Sequence, residues 1–158
     1  RTKKMKPITY FFIFFVLNFG GLAFGSWLMN NGPTSDWYLN LNKAPWTPPG
    51  WVFGVAWTTI MICFSFYLTK LFTTENDKKI ISITFLIQFV LNVSWNYLFF
   101  NKHWVFIALI GIILLTFVVF YFYFSLSKNA QKYKFLLLPY MIWLCIATSL
   151  NLYVLVNN

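Results

Sequence analysis

Long apolar runs with few interruptions dominate this chain. Asp, Glu, Lys and Arg are absent from five windows, 7–35, 44–69, 80–101, 103–127 and 135–158. A helix needs roughly 20 apolar residues to cross a ~30 Å hydrocarbon layer at ~1.5 Å per residue. Each window therefore holds one crossing and none holds two. Helix is the required element, because an open sheet leaves backbone N–H and C=O groups unpaired in lipid. The pattern predicts spans at approximately 8–29, 51–72, 80–100, 104–126 and 135–156. The expected fold class is an all-α membrane protein: one domain over 1–158, a compact bundle of five transmembrane helices with a long first loop acting as a lid.

Three connections, 73–79, 101–103 and 127–134, are short, which predicts antiparallel packing of consecutive helices. The segment 30–50 differs. It contains Pro33, Pro45, Pro48 and Pro49, and carries Trp37, Tyr38 and Trp46. A connection of this length is commonly functional, and its rings suit either the headgroup belt or a cavity mouth. The basic start, the run Ile8 to Phe19 and Ala23-Phe24-Gly25 loosely resemble a cleavable leader. The apolar run continues through Trp27-Leu28-Met29, beyond a typical leader core, so a retained first span is expected.

Composition narrows the class. Of 158 residues 59% are hydrophobic, 23% aromatic and only 9% charged, against about a quarter charged in soluble domains. That excludes a soluble enzyme, a disordered chain and a disulfide-stapled secreted domain. Cys63 and Cys145 lie in apolar runs and are expected to be buried thiols. The net charge of +9 raises nucleic acid as a partner, and the positions of the charges decide against it. Arg1, Lys3, Lys4, Lys6, Lys70, Lys78, Lys79, Lys128, Lys132 and Lys134 fall on one side of the spans, and only Lys43 and Lys102 on the other. The positive-inside rule then places the N-terminus in the cytoplasm and the C-terminus outside, with membrane lipid, including anionic headgroups, as the partner of the basic side.

No Asp, Glu, Lys, Arg or His falls near the middle of a span, which argues against ion-coupled transport. There is no acid–base pair for hydrolysis and no metal-ligand cluster; His103, in a short loop beside Trp104, reads as an interfacial side chain. Neutral polarity is organised instead. Gln88, Asn92, Asn96 and Trp95 share an arc of about 100° on the third span. Tyr140, Trp143, Ala147 and Asn151 share a face of the fifth, and Asn18, Gly21 and Gly25 a face of the first. Unpaired amides cost several kcal/mol in hydrocarbon, so these faces should point inward. Two readings fit them. One is helix–helix hydrogen bonding and close packing, with Gly21-x-x-x-Gly25 serving either the bundle or a dimer. The other is a cavity of tryptophan, tyrosine and amide groups suited to a large, flat, mostly apolar ligand.

The run Lys43-Ala44-Pro45-Trp46-Thr47-Pro48-Pro49-Gly50-Trp51-Val52-Phe53-Gly54-Val55-Ala56-Trp57 resembles the signature of the tryptophan-rich sensory protein family, also called translocator protein or peripheral benzodiazepine receptor. Gln88-x-x-Leu91-Asn92-x-x-Trp95 with Phe99-Phe100 is similar to the family's third helix. Pro139-Tyr140-x-x-Trp143-x-x-x-Ala147-Thr148-x-Leu150-Asn151 is similar to its fifth. Three departures stand out. Val55-Ala56 precede Trp57 where the family usually has Pro before Val-Trp, Met61 replaces a common tyrosine, and no basic residue follows Tyr153, as a cholesterol-recognition pattern would require.

The resemblance implies a bacterial-type membrane receptor, in the plasma membrane, for tetrapyrroles such as protoporphyrin IX and for isoquinoline- or benzodiazepine-type drugs. It implies a pocket between the helices that includes Trp51, Asn92, Trp143 and Ala147, with Trp46 near the lid. It also implies a homodimer, with the tetrapyrrole as ligand rather than resident cofactor. Two alternatives follow from the same resemblance: a light-dependent porphyrin-degrading enzyme, with tryptophans as electron partners, and a passive porphyrin or sterol carrier.

Overall fold

The computed structural model describes residues 5–75 and 77–158. Arg1, Lys3 and Lys4, part of the charge pattern above, lie outside the described residues. The elements are α1 (Pro7–Leu28), the short α2 (Asp36–Leu39), α3 (Gly50–Thr74), α4 (Lys78–Asn96), α5 (Val105–Phe124) and α6 (Leu138–Asn157). Three short turns join them: 3₁₀ turns at Gly32–Thr34 and Gln131–Leu137, and a π turn at Tyr97–Asn101. Five helices are long and apolar enough to cross a membrane, and no strand occurs among the described residues.

The chain punctuates these helices as backbone chemistry requires. α1 ends where Asn30, Asn31 and Gly32 take successive positive φ angles of 50°, 69° and 33°, a conformation that asparagine and glycine adopt most readily. Pro48 and Pro49 keep the approach to α3 extended, since neither offers an N–H. Asp77 caps α4, its Oδ1 accepting from the Ile80 N–H at 3.2 Å. Pro139 sits in the first turn of α6, where its missing N–H costs nothing.

Packing order differs from chain order. α1 packs on α3 and α4, α5 on α4 and α6, and α6 in turn on α3. Consecutive helices are therefore neighbours for α4–α5 and α5–α6, as the short loops predict, but α3 and α4 are separated by α1. The loop joining them is short, yet α1 inserts between their backbones because its Gly21 and Gly25 allow a close approach to α4. A Cβ on Gly21 would lie 2.6 Å from the Phe89 ring, and one on Gly25 2.6 Å from Asn96 Nδ2. The Gly-x-x-x-Gly pair thus serves packing inside the bundle. Gly21→Val should lower the thermal stability of the detergent-solubilised protein by about 1 kcal/mol. Gly20→Val, where a Cβ meets nothing within 4 Å, should leave it unchanged; equal effects would refute this account of the contact.

The core fills the half of the bundle nearer residues 70–80 and 125–137. Phe64, Tyr67, Leu68 and Leu71 of α3 meet Ile81 of α4, Leu115, Val119 and Phe122 of α5, and Tyr140 and Leu144 of α6, all buried. The polar faces point inward as their spacing predicts. Asn18, Gly21 and Gly25 are buried on α1, Gln88 and Asn92 on α4, and Tyr140, Trp143, Ala147 and Asn151 on α6. Asn18 Nδ2 donates to Ser65 Oγ at 2.9 Å, and the Tyr67 hydroxyl donates to Phe122 O at 3.1 Å. The expectation of buried thiols fails in part: Cys63 is half-buried and Cys145 exposed, because Cys145 lies on the outer side of α6, away from Tyr140 and Leu144.

Apolar side chains such as Phe12, Val16, Leu86, Phe106 and Phe117 are exposed along the outer faces, the arrangement of helices solvated by lipid. Lysines fringe both ends. Lys78 lies over the Tyr10 ring, Lys70 and Lys132 over Tyr133, and Lys134 over Tyr123, while Lys102 lies over Tyr97 at the opposite end.

A candidate ligand cavity beneath the first loop

At the end of the bundle away from the core, the helices part and the first loop covers the gap. The loop is fastened on two sides. Toward α4 and its π turn, Trp37 meets Phe99 edge-on with centroids 5.6 Å apart and stacks on His103 at 3.9 Å, while Tyr38 lies 5.4 Å from Phe100. Toward α6, the Trp46 indole N–H donates to Ser149 Oγ at 3.0 Å and its ring meets Tyr153 edge-on. Asn158 Oδ1 also accepts from the Asn42 N–H at 2.8 Å, and Asn158 Nδ2 donates back to Asn42 O. At the other edge, Asn101 Nδ2 donates to Leu28 O at 3.0 Å and so ties the π turn to the end of α1.

Under this roof lies a cavity of about 320 Å³, within the ~300–1,000 Å³ of small-molecule sites. Tyr38, Lys43 and Thr47 line it from the loop, Phe53 and Trp57 from α3, Trp95 and Asn96 from α4, and Trp143 and Ala147 from α6. Its aromatic wall is braced. Phe53 meets Trp143 edge-on at 5.2 Å, Trp57 meets Tyr140 at 6.0 Å, and Trp95 stacks on Phe99 at 5.3 Å. A second cavity of about 430 Å³ adjoins it toward α1, sharing Met29, Pro33, Phe53, Trp57 and Asn96 and adding Gly21, Ser26, Thr58 and Asn92. A wider groove of about 560 Å³ at the other end of the molecule, lined by Lys6, Tyr10, Glu75 and Lys78, is an open surface crease with charged edges.

The hydrogen-bonding groups of this region divide by use. Trp95 spends its indole N–H on Asn151 Oδ1 at 2.9 Å, and Asn151 Nδ2 donates to Val105 O. Gln88 accepts from the Tyr140 hydroxyl at 2.6 Å. Asn96 Nδ2 donates to the Asn92 backbone carbonyl at 3.0 Å. Trp57 Nε1, Trp143 Nε1 and the Asn92 side chain make no such bond among the described residues, and no enclosed side-chain N or O there lacks a partner. These groups are thus reachable from open space. Burial pushes the Tyr38 hydroxyl above the ordinary phenol range, so at neutral pH it stays a neutral donor. No cluster of His, Cys, Asp or Glu able to hold a metal occurs among the described residues.

A model of the TspO/MBR family matches residues 11–156. The chain belongs to the TspO/MBR family. Relatives agree along most of its length. The tryptophan-rich protein TspO of Chlorobaculum tepidum is 30% identical over 129 residues, covering 80% of this chain and 82% of the relative. That of Archaeoglobus fulgidus is 34% identical over 128 residues, covering 77% and 80%. The translocator protein of Homo sapiens is 30% identical over 131 residues, covering 77% and 74%. With five apolar helices and relatives of this kind, this TspO/MBR chain is an integral membrane protein.

The cavity gathers some of the residues singled out from the sequence and not others. Trp143 and Ala147, one turn apart on α6, both line the first cavity. Asn92 lines the second. Trp46 lies outside both linings, held against α6 and 54% exposed. Trp51 is also outside and 72% exposed. The reason is angular: Phe53 and Trp57, four residues apart, share the inner face of α3, and Trp51 lies about 160° round from Phe53. Trp51, Trp27 and Trp104 are all exposed near this end, the placement of an interfacial aromatic belt. The spacing of Phe53 and Trp57 marks them as one face in this TspO/MBR sequence, and Tyr38 is one of the loop rings suited to a cavity mouth; nothing local marks Lys43 or Phe100 as cavity residues.

Proposed function

We propose that this protein binds flat, largely apolar ring systems of the tetrapyrrole class, such as protoporphyrin IX, and isoquinoline- or benzodiazepine-type drugs, in the cavity beneath the first loop. The observation that carries the reading is the convergence of Trp57, Trp95 and Trp143 with Phe53 on one space, where the Trp57 and Trp143 indole N–H groups have no hydrogen-bond partner among the described residues. Ring faces supply stacking and dispersion, and two donors at the wall suit the polar edge of an otherwise apolar molecule. Asn92 in the adjoining cavity adds a neutral amide to the same task.

The proposal extends to orientation and assembly. With its basic end in the cytoplasm, the protein stands in the bacterial plasma membrane with the cavity mouth on the extracytoplasmic side. It works as a homodimer, whose interface lies away from the Gly21–Gly25 face that α4 already covers.

Tryptophan fluorescence titrated with protoporphyrin IX in lipid nanodiscs is expected to show saturable quenching. Trp143→Ala should weaken the apparent affinity about tenfold, the value of one lost ring contact. Absence of saturation, or an affinity untouched by this substitution, would remove the proposal.

A further inference from the structure

The cavity under the loop holds one cation among the described residues. Lys43 lies between α2 and α3 and lines the wall beside Tyr38, Thr47 and Phe53. Its Nζ donates to Tyr38 O at 2.8 Å and to Leu39 O at 3.4 Å, and stands 4.7 Å from the centroid of the Tyr38 ring. An ammonium carries three N–H donors, so these two carbonyls leave one unspent. No Asp or Glu lines either cavity. Of the chain's three acidic residues, Asp36 lies at the start of α2 and Glu75 and Asp77 at the opposite end of the bundle. The lining otherwise presents rings, alkyl groups and neutral hydrogen-bonding groups.

Among the described residues no carboxylate stands in the cavity lining beside this charge. Carbonyl dipoles and a ring face hold the ammonium in place without neutralising it. Where apolar walls exclude part of the solvent, an anion carried in on the ligand interacts more strongly than it would in water. We propose that Lys43 is the specificity determinant of the cavity: its third N–H takes a carboxylate on the edge of the ligand's ring system. The site therefore selects flat apolar molecules that carry an edge carboxylate over neutral molecules of the same shape. The inference rests on the ring-binding reading above and assigns to Lys43 the discrimination between acidic and neutral ligands of one shape.

Lys43 also braces the loop through Tyr38 and Leu39, so its test must separate anchoring from bracing. Protoporphyrin IX and its dimethyl ester share the macrocycle, and the ester lacks both carboxylates. Each is titrated against wild type, Lys43→Gln and Lys43→Arg in nanodiscs of phosphatidylcholine. The two porphyrins partition differently into lipid, so the deciding quantity is the change in acid-to-ester affinity ratio between variants. Lys43→Gln is expected to weaken the free acid about tenfold, the scale of one charge-assisted hydrogen bond, and to move the ester less than about twofold. Lys43→Arg should restore the acid.

Equal loss of acid and ester in Lys43→Gln would make Lys43 a brace only and overturn the proposal. An unchanged ratio with unchanged affinities would overturn it equally. A wild type that binds neither porphyrin is a distinct result, which removes the ring-binding reading itself. Replacing part of the phosphatidylcholine by phosphatidylglycerol separates two sources of the anion. The wild-type ratio should persist if the carboxylate arrives on the ring ligand; its collapse would assign Lys43 to lipid headgroups and overturn the proposal.

Discussion

Ala147→Phe should weaken porphyrin binding about a hundredfold while leaving the protein folded. Ala147 stands one turn beyond Trp143 and lines the cavity wall with only a methyl group. A phenyl ring there projects into open space of about 320 Å³ that a bound macrocycle would fill. Atoms cannot share that volume, and displacing the braced walls is costly because Phe53, Trp143 and Trp57 support one another edge-on. We expect a loss of about 3 kcal/mol, roughly a hundredfold in Kd. Thermal stability should hold or rise slightly, since the new ring makes dispersion contacts where there were none. The measurement pairs a fluorescence titration with a melting curve in the same detergent. Retained affinity in a folded variant would place the ligand elsewhere.

The second large effect concerns the floor of the site. Tyr140 and Gln88 are 0% and 1% exposed, and the Tyr140 hydroxyl donates to Gln88 Oε1 at 2.6 Å. Either partner removed alone strands the other where no water reaches it. Gln88→Leu and Tyr140→Phe should each cost about 1–2 kcal/mol, the range for buried hydrogen bonds and for those between membrane helices. The double variant should recover most of the loss, because an apolar pair of similar shape leaves nothing unsatisfied. Unfolding in mixed micelles across the four proteins gives the coupling directly. Additive losses would show that the two residues act separately.

Lipid made the fold legible. Hydrocarbon tolerates no charge, so gaps between charged residues mark helices, and basic residues collect where the chain leaves the membrane. The arcs on α1, α4 and α6 likewise show which faces turn inward. What each inward group does was less legible, because spacing gives an angle about one helix and says nothing of the neighbour it meets. Gln88 and Asn151 turned out to be spent on Tyr140, Trp95 and Val105 O, whereas Asn92 faces open space. Trp51 and Trp57 sit in one motif, and only the winding of α3 separates an outward ring from an inward one. Lys43, counted from the sequence as a mark of topology, reaches the cavity through a loop whose path depends on α2, a four-residue helix with too little pattern to read. The insertion of α1 between α3 and α4 was hidden for a similar reason: loop length limits distance without choosing the neighbour.

The π turn at Tyr97–Asn101 constrains the number of residues in the chain, apart from their kinds. It spreads its hydrogen bonds over one residue more than an α turn. Inserting a further residue there would exceed that turn and shift everything beyond it by about 100° around the axis and ~1.5 Å along it. Asn101 would turn away from Leu28 O, and His103 from the Trp37 ring, so the roof would lose its hold on the ends of α1 and α4 together. Exchanging one side chain for another within 97–101 keeps that spacing. In this stretch the count of residues is itself a structural element, and one added residue is a larger change than a substitution.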